Sequence, residues 1–464
     1  MEAGGDKLHI VVFPWLAFGH MLPFLELSKS LAKRGHLISF VSTPKNIQRF
    51  PNLPPQISPL INFIPLSLPK VEGMPGDVEA TTDLPPANLQ YLKKALDGLE
   101  QPFRSFLREA SPKPDWIIQD LLQHWIPPIA AELHVPSMYF GTVPAAALTF
   151  FGHPSEFSKR KKGIEDWLVS PPWVPFPSKV AYRLHEMIVM AKDTAGPLHS
   201  GVTDVRRMEA AIVGCCAVAI RTCRELESEW LPILEEIYGK PVIPVGLLLP
   251  TADESTDGNS IIDWLGTRSQ ESVVYIALGS EVSIGVELIH ELALGLELAG
   301  LPFLWALRRP YGLSSDTEIL PGGFEERTRG YGKVVMGWVP QMRVLADGSV
   351  GGFVTHCGWS SVVESLHFGH PLVLLPIFGD QGLNARLLEE KGIGVEVERK
   401  GDASFTRNEV AKAVNLVMVE GDGSGSSYRK KAKEMKKIFG DKECQEKYVD
   451  EFIQFLLSNG TAKG

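Results

Sequence analysis

The sequence predicts an α/β protein made of two doubly wound, Rossmann-like domains that face each other across a cleft. Three observations carry this. At 464 residues the chain exceeds what one hydrophobic core ordinarily supports. Short apolar runs alternate with segments of helical period, and that alternation implies parallel strands with helices on both faces. The alternation also restarts after Lys240–Asn259, KPVIPVGLLLPTADESTDGN, whose change from extended, Pro-punctuated composition to a polar, Gly- and Asp-rich one marks an interdomain connection.

In the first half, His9–Phe13, Leu37–Ser42, Ile61–Pro65, Trp116–Asp120 and Ser137–Gly141 are short apolar runs that read as strands. The segment Met21–Arg34, with Leu22, Leu25, Leu27 and Leu31 along it, reads as an amphipathic helix after the first of them. The second half begins again with Val273–Leu278, Phe303–Leu307, Lys333–Gly337, Gly351–Thr355, Pro371–Leu375 and Ile393–Val397 as strands. Helical segments Val286–Ala299, Gly382–Lys391 and Arg407–Val419 separate several of these, and Lys442–Leu457 is helical in pattern. The expected domains are 1–245 and 261–441, joined by a linker at 246–260 and followed by a C-terminal helix within 442–464. In doubly wound sheets ligands bind beyond the carboxyl ends of the strands, so both domains are expected to offer loops to one cleft.

Composition narrows the function. With 44% hydrophobic and 22% charged residues the chain has the make-up of a soluble globular protein, and a net charge of -9 argues against a nucleic-acid partner. The basic run Lys159–Lys162 reads as a solvated loop. Five cysteines, odd in number and without a C-x-x-C pair, fit a reduced cytoplasmic compartment with no disulfide framework. Cys357 reads as a small buried thiol rather than a nucleophile. The start carries no basic n-region, and the apolar run behind it is too short for a signal or a membrane span. The sequon Asn459-Gly460-Thr461 would stay unused in such a compartment. Neither domain shows G-x-G-x-x-G after a strand, the glycines of Gly421–Gly425 follow a helix, and there is no D-x-D pair to hold a cation on a diphosphate.

The most informative stretch is WVPQMRVLADGSVGGFVTHCGWSSVVESLHFGHPLVLLPIFGDQ, Trp338–Gln381. It resembles the signature box of plant family-1 UDP-glycosyltransferases. FPWLAFGHMLP, PDWIIQD and SVVYIALGSE agree with that resemblance over essentially the whole chain. The resemblance implies a GT-B fold, a UDP-sugar donor, inversion at the anomeric carbon, no metal, and a C-terminal helix packed back on the first domain. Two departures stand out: Ser360 where most members have Asn, and Ala346-Asp347 where Ala-His is commoner.

Each part of a UDP-sugar finds a chemical match in the box. Trp338 offers a flat surface for uracil, with the Val339 backbone and Gln341 at the base edge; taken alone, Trp338 reads first as a core residue at a strand end, and the rest of the box reverses that. Glu364, four residues after Ser360 on one helix, shares its face and suits the ribose diol. His356, Gly358, Trp359, Ser360 and Ser361 surround a helix start whose free N–H groups and dipole attract a diphosphate. Ser360-Ser361 also reads as a simple helix cap. Ser280, after Gly279 at the end of the first strand of this domain, is expected to reach the phosphates from across the cleft. Asp380 and Gln381, with the Trp359 main chain, supply donors and acceptors for sugar hydroxyls.

An inverting transfer needs a base. His20 stands where the first strand's loop meets the following helix, and a helix N-terminus disfavours imidazolium, so a neutral ring is expected. Asp120 would bind its other nitrogen and hold the tautomer. The resemblance assigns both roles and adds Thr142 as a contact to the donor sugar. Phe140–Phe151 and Trp167–Pro177 are aromatic runs that fit an acceptor pocket or plain core packing. PWLAFGH, ALGSEV, ELALGLELAG and LPIFGDQGLNAR resemble the branch that adds sugar to an existing glycoside, commonly in 1→2 linkage, with glucose or rhamnose onto terpenoid or flavonoid glycosides. Gln381 leans toward UDP-glucose. The expected partner is a small-molecule glycoside, and the expected state is a monomer. A non-catalytic nucleotide-sugar-binding protein, or a nicotinamide dehydrogenase, shares parts of the pattern; the first lacks a use for His20 and Asp120, the second its glycine fingerprint.

Overall fold

The computed structural model describes residues 7–157, 163–194, 199–250, 258–314, 316–419 and 424–460. The basic run Lys159–Lys162, residues 251–257 of the connection, and parts of the Gly421–Gly425 and Asn459–Thr461 segments lie outside them. Two sheets carry the architecture. The first has seven strands: β1 His9–Phe13, β2 Leu37–Ser42, β3 Ile61–Pro65, β4 Trp116–Gln119, β5 Ser137–Gly141, β6 Ala217–Ile220 and β7 Val242–Pro244, in the order β3-β2-β1-β4-β5-β6-β7. The second has six: β8 Val273–Ala277, β9 Phe303–Leu307, β10 Gly332–Met336, β11 Val350–Thr355, β12 Leu372–Leu374 and β13 Gly394–Glu396, in the order β10-β9-β8-β11-β12-β13. All these pairings are parallel. The order reverses between β1 and β4 and again between β8 and β11, which makes each of those seams a switch point.

The apolar runs form strands because both of their faces are covered. All five residues of β1 are buried, as are all six of β11. Helices fill the layers above and below, so each domain buries apolar clusters on both sides of its sheet.

Three expectations need correction. The helix after β1 runs Phe18–Ala32, not Met21–Arg34. The Ala17 carbonyl accepts from the N–H groups of His20 and Met21 at 2.9 and 2.8 Å, closing a first turn ahead of the leucine-periodic part. β6 was not anticipated, because four residues behind a cysteine pair give too short a period to read. β7 lies inside the stretch read as connection: its three residues pair with β6 and form the last strand of the first sheet. The other boundaries move by one or two residues. Two of those moves matter: Asp120 falls just past β4, and Gln381 becomes the first residue of its helix.

The C-terminal helix Lys442–Asn459 crosses back to the first domain. Val449, Phe452, Ile453 and Leu456 join the cluster that holds Ile10, Leu31 and Phe40, and the Trp116 indole N–H donates to the Leu456 carbonyl at 2.9 Å. Between the domains, Arg386 donates to Glu396 and, across the interface, to Glu186 in helix Leu184–Thr194, both at 2.7 Å. Phe452→Ala is expected to cost about 3–5 kcal/mol of stability, because it opens a cavity in a fully buried site. A lowered urea midpoint with an unchanged slope would register it.

Candidate active site

At the first switch point, the loop after β1 and the end of β4 converge. Asp120 is 1% exposed and accepts three hydrogen bonds: Oδ2 from the Trp15 N–H at 2.9 Å and from His20 Nδ1 at 2.8 Å, and Oδ1 from the Leu121 N–H at 2.7 Å. Two backbone donors therefore fix the carboxylate, and the carboxylate fixes the imidazole with Nδ1 protonated. The His20 side chain stays 23% exposed, which leaves Nε2 as the ring nitrogen not engaged by Asp120. The Thr142 hydroxyl, past β5, lies 3.4 Å from His20 Nδ1.

The helix N-terminus does not decide the direction of the His20 pKa. Burial alone would lower it, but the Asp120 charge and hydrogen bond, with Glu281 and Asp380 further away, outweigh burial and hold it above its ordinary 6.5. Glu281 and Asp380 reach His20 only through the fold, from the other domain.

The second switch point shapes the opposite wall. The His356 ring sits between two glycines: a Cβ at Gly279 would stand 2.6 Å from the ring, and one at Gly358 would stand 2.3 Å from it. Gly279 also has φ +82°, a conformation other residues adopt only with strain. Burial lowers the His356 pKa to about 4, so the ring is neutral, and its Nδ1 is buried with no hydrogen-bond partner among the described residues. Cys357, buried at φ +66°, turns the chain into helix Trp359–Phe368. Trp359 is buried and its indole N–H donates to the Arg221 carbonyl at 2.8 Å. The Ser360 hydroxyl accepts from Arg221 Nη1 at 2.6 Å, and that of Ser361 from Gln341 Nε2 at 3.3 Å.

Further along the same face, Gln341 Nε2 donates to Glu364 Oε2 at 2.7 Å, and the Tyr275 hydroxyl donates to Gln341 Oε1 at 3.3 Å. Gln341 thus steers the Glu364 carboxylate, whose pKa burial raises against the lowering influence of Gln341 and Arg221. Trp338 is 60% exposed, so it is not the core residue its position after a strand allowed, whereas Val339 is buried.

Asp380 accepts from Asn384 Nδ2 at 2.6 Å, and burial raises its pKa. Gln381 is buried, and its Oε1 accepts from the Ile377 and Phe378 N–H groups at 2.9 and 3.0 Å. Its acceptor end braces the loop before Asp380. The aromatic runs also resolve toward packing, since Phe140 and Phe150 are fully buried and Trp167 nearly so.

Between the domains lies a cavity of about 430 Å³ lined in part by Thr81, Ser280, Glu281, Arg308, Tyr311 and Met336. Ser280 itself is exposed, and its carbonyl accepts from Arg308. The Thr81 hydroxyl donates to Glu281 at 2.9 Å, and the Tyr311 hydroxyl to the Asp83 carbonyl at 3.2 Å, so the cavity is bridged from both sides. Glu281, Arg221 and Glu227 were not singled out from sequence. Glu227, fully buried, accepts from the N–H groups of Ala145 and Ala146 at 2.9 and 2.8 Å and so anchors the segment that follows Thr142. The signal for Glu281 was its place beside Gly279-Ser280; Arg221 and Glu227 follow a strand too short to read. Among the described residues no group of three or more His, Cys, Asp or Glu is arranged to hold a metal ion, and no helix is long and apolar enough to cross a membrane.

Residues 245–450 match the family model described as UDP-glucoronosyl and UDP-glucosyl transferase. UDP-glycosyltransferase 91B1 of Arabidopsis thaliana is 47% identical over 462 residues, covering 97% of each chain. The chain belongs to the plant family-1 UDP-glycosyltransferases. It is also similar to the soyasaponin III rhamnosyltransferase of Glycine max, 40% identical over 98% of this chain and 96% of that protein. Among solved structures, UGT71G1 of Medicago truncatula complexed with UDP-glucose superposes with a TM-score of 0.77 at 25% identity, over 98% of this chain and 100% of that one. The two doubly wound domains are thus a GT-B fold, and this glycosyltransferase is an enzyme of UDP-sugar transfer. Its His20 ring is expected to titrate above pH 6.5 by NMR. Asp120→Asn removes the largest raising influence and leaves burial, so the same resonance should then titrate at lower pH than in the wild type.

Proposed function

We propose that this glycosyltransferase moves glucose from UDP-glucose, with inversion and without a metal ion, to a hydroxyl of a small-molecule glycoside, forming a 1→2 sugar–sugar linkage. The observation that carries the reading is the His20–Asp120 pair at 2.8 Å, held at one switch point opposite the helix start at Trp359–Phe368 held at the other.

In this reading Trp338 stacks on uracil, the Val339 backbone meets its edge, and Glu364 takes the ribose hydroxyls, with Gln341 setting its orientation. The diphosphate lies against the N-terminus of helix Trp359–Phe368, between His356 and Ser280, where free peptide N–H groups supply the positive potential that a cation supplies elsewhere. Asp380 and Thr142 face the sugar. His20 Nε2 takes the proton from the acceptor hydroxyl as its oxygen bonds to the anomeric carbon. The bond from that carbon to the β-phosphate oxygen breaks on the opposite face, and UDP leaves with the electron pair. Asp120 stabilises the imidazolium until the proton is released. A glycoside acceptor of terpenoid or flavonoid type is supported by the likeness of PWLAFGH and LPIFGDQGLNAR to the sugar-on-sugar branch.

A second reading, transfer of rhamnose from UDP-rhamnose to the same acceptors, is favoured by the likeness to soyasaponin III rhamnosyltransferase. A panel of UDP-sugars against terpenoid and flavonoid glycosides and their aglycones, with products read by mass and anomeric coupling by NMR, separates the two. Preference for bare aglycones would sink the glycoside assignment, and loss of turnover in chelator would sink metal independence. His20→Ala is expected to lower kcat by about 10²–10⁴-fold with UDP affinity nearly unchanged; wild-type turnover in that variant excludes His20 as base. Because the base works unprotonated and its pKa is raised, kcat/KM should fall as pH drops, with the midpoint of that limb above 6.5.

A further inference from the structure

Arg221 follows β6 directly and is 1% exposed. Its guanidinium donates from Nε to the Leu247 carbonyl at 2.7 Å, from Nη2 to the Leu248 carbonyl at 3.2 Å and from Nη1 to Ser360 Oγ at 2.6 Å. The main-chain carbonyl of the same residue accepts from the Trp359 indole. Among the described residues no carboxylate lies within ion-pair distance of it, in contrast to buried Arg207, which pairs with Asp97, and buried Arg386, which pairs with Glu186 and Glu396. Burial lowers its pKa to about 10, with Glu364 and Glu26 raising it from longer range, so it remains charged near neutrality.

A buried cation held by dipoles alone is costly. Here it also adjoins the positive end of a ten-residue helix, so a like-signed potential accumulates at residues 359–361, offset only from longer range by Glu364 and Glu26. The hydroxyl geometry gives that potential a direction. A guanidinium only donates, so Ser360 Oγ must accept from it, and the Ser360 O–H proton is left to donate elsewhere, strengthened by the charge behind it.

We propose that Arg221 is a positioning residue that supplies the formal positive charge for the donor's diphosphate, acting through the Ser360 hydroxyl. The inference rests on the donor-site reading above.

Calorimetric titration of the full-length protein with UDP and, separately, with uridine tests this. Arg221→Gln is expected to weaken UDP about tenfold or more while uridine changes less than about twofold; Arg221→Lys, which keeps the charge, should recover most of the UDP affinity. Ser360→Ala leaves the guanidinium but removes the relay, and should weaken UDP several-fold with uridine unaffected; this variant carries the test if Arg221→Gln does not fold. Equal losses for UDP and uridine would make Arg221 a mere strut between the domains and overturn the proposal, as would unchanged UDP affinity in Arg221→Gln while the wild type binds UDP. Wild-type protein that ignores UDP overturns the donor-site reading itself and this proposal with it.

Discussion

Because every strand pairing in both sheets is parallel, all the carboxyl ends of one sheet lie on one rim, and the chain must leave each strand on that side. Most of the site follows from this. Asp120 follows β4, Thr142 β5 and Arg221 β6; Gly279 follows β8, Trp338 β10 and His356 β11. The reversal of strand order then selects which of these meet. β1 and β4 are neighbours, so the loop carrying His20 opens beside Asp120; β8 and β11 are neighbours, so Gly279 lies against His356. An antiparallel sheet would have sent alternate loops to opposite rims and separated both pairs.

Charge is divided within the cleft. Around His20, Asp120 of the first domain and Glu281 and Asp380 of the second together hold the imidazole pKa up despite burial. Around residues 359–361, the helix N-terminus and the Arg221 guanidinium contribute positive potential, with Glu364 set further along the helix. A reaction that moves a proton toward an imidazole and negative charge toward a leaving diphosphate is served by that separation. The same separation explains why so many of the wall residues are fixed by backbone donors or acceptors. Asp120 takes two peptide N–H groups, Gln381 two, Glu227 two, and Arg221 gives to two carbonyls. Bonds to the main chain hold a side chain against the pull of its charged neighbours without adding another charge.

The two domains are also tied together where the site is built. Residue 221 grips Trp359 with its carbonyl and Ser360 with its side chain, Thr81 bonds to Glu281, and Glu186 pairs with Arg386, five residues beyond Gln381. The C-terminal helix adds a further tie. It packs on the first domain's core, and its Gln445 side chain accepts from the Leu247 N–H, beside the carbonyls that hold Arg221. The relative placement of the domains is therefore set within a few residues of the chemistry.

The alternation of apolar runs and helical periods was enough, by itself, to establish two parallel α/β domains, because strands covered on both faces must be apolar throughout and cannot be mistaken once they run to five or six residues. The box Trp338–Gln381 was legible for a similar reason: it is local, one helix start and its flanks, and the family it resembles is the one the chain belongs to. β6 escaped because its run is rich in alanine, a weak strand former, and β7 because the prolines on either side of Val242-Ile243 read as a connection. The His20 pKa, the inward turn of Gln381, the burial of Phe140 and Phe150, and the approach of Arg221 to Ser360 over 139 positions of sequence all depend on which groups face each other in space. Charge and burial act through distance, and only the folded chain sets the distances.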